Sequence, residues 1–169
     1  MAVVSEDTVV LEGVLAERPD WPRTRCSIDK AISLVSTRSA VLILREAYYG
    51  TQRFEDFVAR VGVTDAVAAA RLRELTEAGL LRREPYQEPG QRTRSAYRLT
   101  EMGLDLFPAL VALAQWGDKH LAGRSGPPLL WRHDGCGAAV SAVVQCDEGH
   151  DVPVSEFAVR VPPRRKSAS

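Results

Sequence analysis

A mainly helical α+β fold is predicted from three observations. Residues 26–80 hold four stretches with helical spacing of apolar side chains, and the last two are joined by a short turn at Gly62-Val63. The period then changes to that of strands over 80–86 and 92–99, separated by the turn signal Gln87-Glu88-Pro89-Gly90-Gln91. A further helical stretch at 100–121 is apolar around more than one face. Two helices across a glycine-containing turn, followed by a hairpin, is the pattern of a winged helix-turn-helix.

Composition bounds this reading. The 169 residues, 45% hydrophobic and 26% charged, suffice for a buried core. The formal net charge is zero, so any basic surface must be local. No apolar run approaches the roughly 20 residues of a membrane span. The first residues lack the basic region and cleavage signal of a secretory signal peptide. Three cysteines do not make a disulfide framework. The expectation is a cytoplasmic protein with reduced thiols.

The expected organisation is an N-terminal arm over 1–25, a winged helix-turn-helix domain over 26–122, and a remainder over 123–169. That remainder comprises a linker, a small strand-rich tail and a basic disordered end. In the arm, Val10, Leu11, Val14 and Leu15 have helical spacing, with Ser5, Glu6 and Asp7 as a helix start. An ordered arm packing on a second subunit and a loose acidic tail are both compatible with that pattern. Pro19 and Pro22 end whatever forms there.

Residues 26–35 predict a short helix, 37–49 a strongly apolar one stopped at Gly50, and 54–61 a third stopped at Gly62. The stretch 64–80 organises the rest. Thr64 is a cap, Gly79 a stop, and Ala68, Leu72 and Leu75 share a buried stripe. The opposite face carries Ala66, Ala70, Arg73 and Glu77 and is nearly stripped of bulk, which lets a helix approach a groove closely. The hairpin after it carries Arg82, Arg83, Arg92, Arg94 and Arg98 against Glu84 and Glu88, a local basic surface. Pro85 marks its first strand as an edge or an early end. The helix at 100–121 is capped by Thr100 and bent by Pro108. Its wide apolar stripe (Leu104, Phe107, Leu110, Val111, Ala114, Trp116) calls for a second surface, most simply another subunit.

These residues carry a family pattern. Cys26 before the first helix, LILREAYYGTQRFEDF at 42–57, RLRELTEAGLLRREPY at 71–86, YRLTEMGLDLFPAL at 97–110 and Trp116-Gly117 occur in order over more than half the chain. The chain resembles the HxlR-type transcription regulators, a branch of the MarR-like winged-helix proteins. The resemblance implies a homodimeric DNA-binding regulator whose first and last helices form the dimer interface. Thr37-Arg38-Ser39 stands where the family commonly has a tryptophan, and the tail lies outside the minimal family domain.

Candidate DNA contacts follow. Thr64, Asp65, Arg71 and Arg73 lie on the recognition helix, and Arg92 and Arg94 lie in the wing for phosphates or a minor groove. Ala66, Val67 and Ala70 suit thymine methyl groups, and Arg53 a phosphate ahead of the third helix. The alternative is that these arginines are solvated or pair with Glu74, Glu77 and Glu84. Cys26 sits at a helix start, where the dipole favours the reactive thiolate. The resemblance implies a redox or electrophile sensor there, against an unreactive, partly buried thiol.

The tail holds His133, Cys136, Cys146 and His150, spaced H-x2-C and C-x3-H beside Gly135, Gly137 and Gly149. This pattern resembles a zinc ribbon with one closed, structural zinc per chain. The alternative is a small hairpin packed on the domain through Leu129, Leu130 and Trp131. There is no nucleophile elbow, phosphate loop or HExxH, so no enzyme is expected. The functional expectation is a homodimer on a double-stranded operator, with no membrane partner, modulated by a small-molecule effector or by Cys26. The competing one is a protein-interaction module that has lost DNA readout.

Overall fold

The structure, a computed structural model, describes residues 8–16, 26–87 and 94–162. The expected helix start at Ser5-Glu6-Asp7, the wing tip with Arg92 and the basic end at 163–169 lie outside the described residues. In chain order the elements are β1 (Val10–Leu11), α1 (Ser27–Val35), α2 (Arg38–Tyr48), α3 (Phe54–Val61), α4 (Asp65–Glu77), β2 (Leu81–Tyr86), β3 (Arg94–Leu99), α5 (Glu101–Asp105), α6 (Phe107–Leu121) and β4 (Ala158–Val159). The chain divides into two compact units, Ser27–Ala142 and the two ends Met1–Cys26 with Val143–Ser169.

The larger unit is built where the sequence places it. Thr37 and Thr64 are N-caps: Ala40 N donates to Thr37 Oγ1 (3.1 Å) and Val67 N to Thr64 Oγ1 (3.4 Å). Gly62 takes a left-handed conformation (φ +69°) that closes α3 and turns the chain into α4. The core lies between α2, α3, α4 and the root of β2, with Ile43, Leu44, Phe57, Leu72, Leu75 and Leu81 fully buried. β2 and β3 pair antiparallel, from Leu81 opposite Leu99 to Tyr86 opposite Arg94. Pro85 sits in this two-stranded sheet, where every strand is an edge. Tyr97 N donates to Gln52 O (2.8 Å) and Arg53 bridges Ala96, which fastens the hairpin to the segment before α3.

A close joint locks the hairpin root to α5. Thr100 Oγ1 donates to Gly79 O (2.5 Å), Thr100 N donates to Leu80 O (3.1 Å), and Gly103 N donates back to Thr100 Oγ1 (3.1 Å). A Cβ on Gly103 would stand 2.2 Å from the Leu80 carbonyl oxygen, a backbone atom with no freedom to move aside. Gly103→Ala is expected to cost about 1–3 kcal/mol through this clash. Urea unfolding checks it, and a loss under about 0.5 kcal/mol would show that the joint is slack.

Three expectations are corrected. Residues 10–15 are not helical: β1 is followed by a short 3-10 turn at Gly13–Leu15. Val10 N donates to Phe157 O (2.8 Å) and Glu12 N to Val159 O (2.9 Å), and β1 runs parallel to β4. These backbone bonds outweigh the local spacing, and Gly13 at φ +59° interrupts any helix. The helix at 100–121 is not a single bent rod but α5 and α6, interrupted at Leu106. Pro108 has no N–H to give and its ring crowds the carbonyl four residues back. The tail at 129–161 has little strand. It holds the bridges Arg132–Ala139 and Gln145–Asp151, and β4. Among the described residues no helix is long and apolar enough to cross a membrane.

Candidate nucleic-acid interface

α4 turns Ala68, Leu72 and Leu75 into the core and leaves Asp65, Ala66, Val67, Ala69 and Arg73 exposed, with Ala70 and Arg71 half-buried. The first turns of its outward face are thus made of short side chains, with Arg73, Glu74 and Glu77 exposed further along. Arg73 Nε lies 3.9 Å from Glu77 Oε1, and both side chains are well exposed. Such a pair is weak and can be exchanged for a phosphate. Arg71 is held more tightly, against Glu74. Thr64, whose hydroxyl caps the helix, is exposed beside Asp65.

The wing arginines are partly engaged. Glu84 accepts from Arg82 Nε (2.7 Å) and from Arg98 Nε (2.7 Å). The Arg82 hydrogen bond chiefly, helped by Arg98, holds the Glu84 carboxyl below its ordinary value. The carboxylate therefore stays charged across the neutral range. The pairing is lost only as pH falls through that lowered value. Arg94 Nη1 donates to Glu55 Oε1 of α3 (3.2 Å). The Arg53 guanidinium lies 5.5 Å from the Tyr86 ring centroid, stacked on the wing.

The structure therefore brings Arg53 and Arg94 to the junction of wing and α3, and places the remaining described candidates on α4 and its cap. Of the two carboxylates that tune this surface, Glu84 was expected as an arginine partner and Glu55 was not. Glu84 was legible in part, because Arg82 and Glu84 are two apart on one strand. The Glu55–Arg94 pair joins two different elements, and no periodicity announces it.

The helix-turn-helix geometry is matched by sequence comparison. The family model for HxlR-like helix-turn-helix proteins matches residues 34–125. The chain belongs to the HxlR-like helix-turn-helix family. An HTH-type transcriptional regulator of Mycobacterium tuberculosis, itself uncharacterised, is 45% identical over 111 residues, 66% of this chain and 69% of that protein. Among solved structures, PA1607, assigned as a transcription factor, has a TM-score of 0.73 at 27% identity over 84% of this chain and 97% of its own. A MarR-family regulator of Enterococcus faecalis has a TM-score of 0.51 at 29% identity, over 63% of this chain and 96% of its own. The family consists of transcriptional regulators, and the mainly helical α+β fold is that of its MarR-like neighbours.

Two further candidate sets lie outside the HxlR-like surface. Cys26 is a free, half-buried thiol immediately before α1. The four tail residues form two pairs, one in each unit. His133 Nδ1 lies 3.1 Å from Cys136 Sγ, and Cys146 Sγ lies 3.6 Å from His150 Nδ1. Among the described residues no group of three or more His, Cys, Asp or Glu is placed to hold a metal ion.

Proposed function

We propose that this HxlR-like protein is a cytoplasmic homodimer that binds a specific double-stranded DNA operator and regulates transcription. The observation that carries the reading is α4. It is a helix capped and packed on α2 and α3, whose outward face presents Ala66, Val67, Ala69 and Arg73 beside the exposed carboxylates Asp65, Glu74 and Glu77, followed by a hairpin bearing exposed arginines. Short side chains admit the helix into a major groove, where Ala and Val methyls meet thymine methyls. Arg53, Arg71, Arg73 and Arg94 supply phosphate contacts, each by releasing the carboxylate or ring it rests on.

The dimer is supported by unpartnered apolar faces. α1 exposes Ile28 (70%) and Ile32 (55%), and α6 exposes Leu113, Trp116 and Leu121 (73%). Two helices of one small unit with outward leucine, isoleucine and tryptophan are what a two-fold interface between copies covers. In that dimer two α4 helices enter successive major grooves, one helical turn apart. A small ligand, or chemistry at Cys26 next to the α1 face, regulates by changing the separation of the two helices.

Selection of binding sites from a random duplex library tests the proposal. The expected product is an inverted repeat with half-sites about 10 bp apart, centre to centre. Failure to enrich any sequence, with the fold intact, would favour the protein-interaction reading. A wing variant adds a finer check. Glu84→Gln unties Arg82 and Arg98 and is expected to tighten non-specific binding and raise the salt dependence by about one phosphate contact. Unchanged binding would place the wing off the DNA.

A further inference from the structure

Two short turns in the tail present the same pair of donors in opposite order. In the first, His133 Nδ1 stands 3.1 Å from Cys136 Sγ. His133 N donates to Ala138 O (2.9 Å) and Gly137 N to His133 O (2.7 Å), which closes that turn. In the second, Cys146 Sγ stands 3.6 Å from His150 Nδ1. Cys146 N donates to His150 O (3.1 Å) and Gly149 N to Cys146 O (2.9 Å). Each turn passes through a glycine of positive φ, Gly137 at +72° and Gly149 at +82°. Gly135 leaves room for the first imidazole, since a Cβ there would stand 3.0 Å from His133 Cε1.

The spacing within each pair has a chemical meaning. With Zn–S about 2.3 Å, Zn–N about 2.05 Å and a tetrahedral angle, sulfur and nitrogen lie roughly 3.6 Å apart. The second pair has that separation, and the first is slightly closer. Burial does not account for these residues. Every residue from 132 to 151 is exposed, Val140, Val143 and Val144 among them. Backbone bonds seat the hairpin that begins at Trp131 on α6: Gln115 Nε2 donates to Val140 O (2.7 Å) and Ala142 N donates to Gln115 Oε1 (2.8 Å). They supply no core. A stretch that turns sharply twice without burying a side chain needs a staple, and a metal ion is one of the few available. Both thiols are free, and each has an imidazole in contact.

We propose that each chain binds one structural zinc ion through His133 Nδ1, Cys136 Sγ, Cys146 Sγ and His150 Nδ1. On binding, the two thiols give up their protons to solvent and the two imidazoles stay neutral. The dication then meets two thiolates, and the site carries no net charge. Four protein donors leave no position for water or substrate, so the ion staples the tail and does no chemistry. Nine residues separate Cys136 from Cys146, a length of chain ample for both pairs to reach one ion. Zinc binding requires no DNA, so it stands or falls separately from the regulator reading.

Cobalt(II) is the probe, titrated into the untagged, reduced full chain without DNA. A tetrahedral cobalt site gives intense visible bands, and its thiolates add near-ultraviolet charge-transfer bands. Saturation is expected at one cobalt per chain, with displacement by zinc. Cys136→Ser and Cys146→Ser should each lose about half of the charge-transfer intensity, the double variant all of it, and Cys26→Ser none. Losing a ligand costs no less than losing the partner that orients one, so His133→Ala and His150→Ala should each weaken cobalt binding at least about tenfold. Circular dichroism checks that each variant keeps its helices. Saturation at one ion per two chains, bands that vanish in Cys26→Ser, or a Cys146→Ser variant with the full parental spectrum overturns the proposal. So does a reduced, folded chain that gives no tetrahedral bands.

Discussion

Ala66→Glu is expected to reduce operator affinity by at least about 100-fold while leaving the fold intact. Ala66 is exposed in the first turn of α4, where an acidic residue is favourable to the helix dipole, and Asp65 already occupies the neighbouring position. Folding therefore has no reason to suffer. On DNA the new carboxylate would face phosphates at close range in a desolvated contact, and like charges set together in an interface cost several kcal/mol. Ala66→Ser, of similar bulk and without charge, is expected to bind within a few-fold of the parent. Fluorescence anisotropy with a selected duplex reads the affinity, and circular dichroism melting reads the fold. A folded Ala66→Glu protein with undiminished affinity would mean that α4 does not face the DNA.

Phe57→Ala is expected to destabilise the protein by about 3–5 kcal/mol. Phe57 is fully buried on α3, its ring is edge-on to Tyr97 of β3 (centroids 6.2 Å, 84°), and it packs within the cluster that contains Leu44, Leu72 and Leu75. Truncation opens a void at the point where α3, α4 and the wing root converge, and little around it can collapse. Against a typical total of about 5–15 kcal/mol, that loss leaves a fragile fold. Urea denaturation should show a lower midpoint with an unchanged slope. A loss under about 1.5 kcal/mol would show that α3 is not locked to the wing through this ring.

The reach of sequence reasoning follows from the range of each interaction. Thr64, Gly62, Gly79 and the Ala68–Leu72–Leu75 stripe act within a turn or two, so α3, the turn and α4 were legible residue by residue. The strand at Val10–Leu11 was not, because its hydrogen bonds go to residues near the opposite end of the described chain. Local apolar spacing there mimics a helix. Pro108 announced a disturbance, but a bend and a break are distinguished by whether the flanking turns find other partners. α5 does, through Thr100, Gly79 and Leu80.

The candidate interface shows the same division. Spacing placed the arginines on α4 and in the wing, and it also suggested Glu74 and Glu77 as partners, both of which are observed. It did not reveal that Glu84 serves two arginines or that Glu55 holds Arg94. Nor did it show that Gln115 seats the Trp131 hairpin on α6, a contact between segments with no shared period.

The salt dependence of duplex binding tests the proposed role of α4 and the wing most directly. Each phosphate neutralised by an arginine releases counterions, so the logarithm of the affinity should fall linearly with the logarithm of salt concentration. For a dimer using Arg53, Arg71, Arg73 and Arg94 on each protomer, the expected slope is steep, on the order of −5 or beyond. Replacing Arg73 with alanine should make it shallower by about one for each phosphate that is no longer neutralised. A slope near zero, or one unchanged when Arg73 and Arg94 are both replaced, would contradict the DNA-binding assignment of this surface.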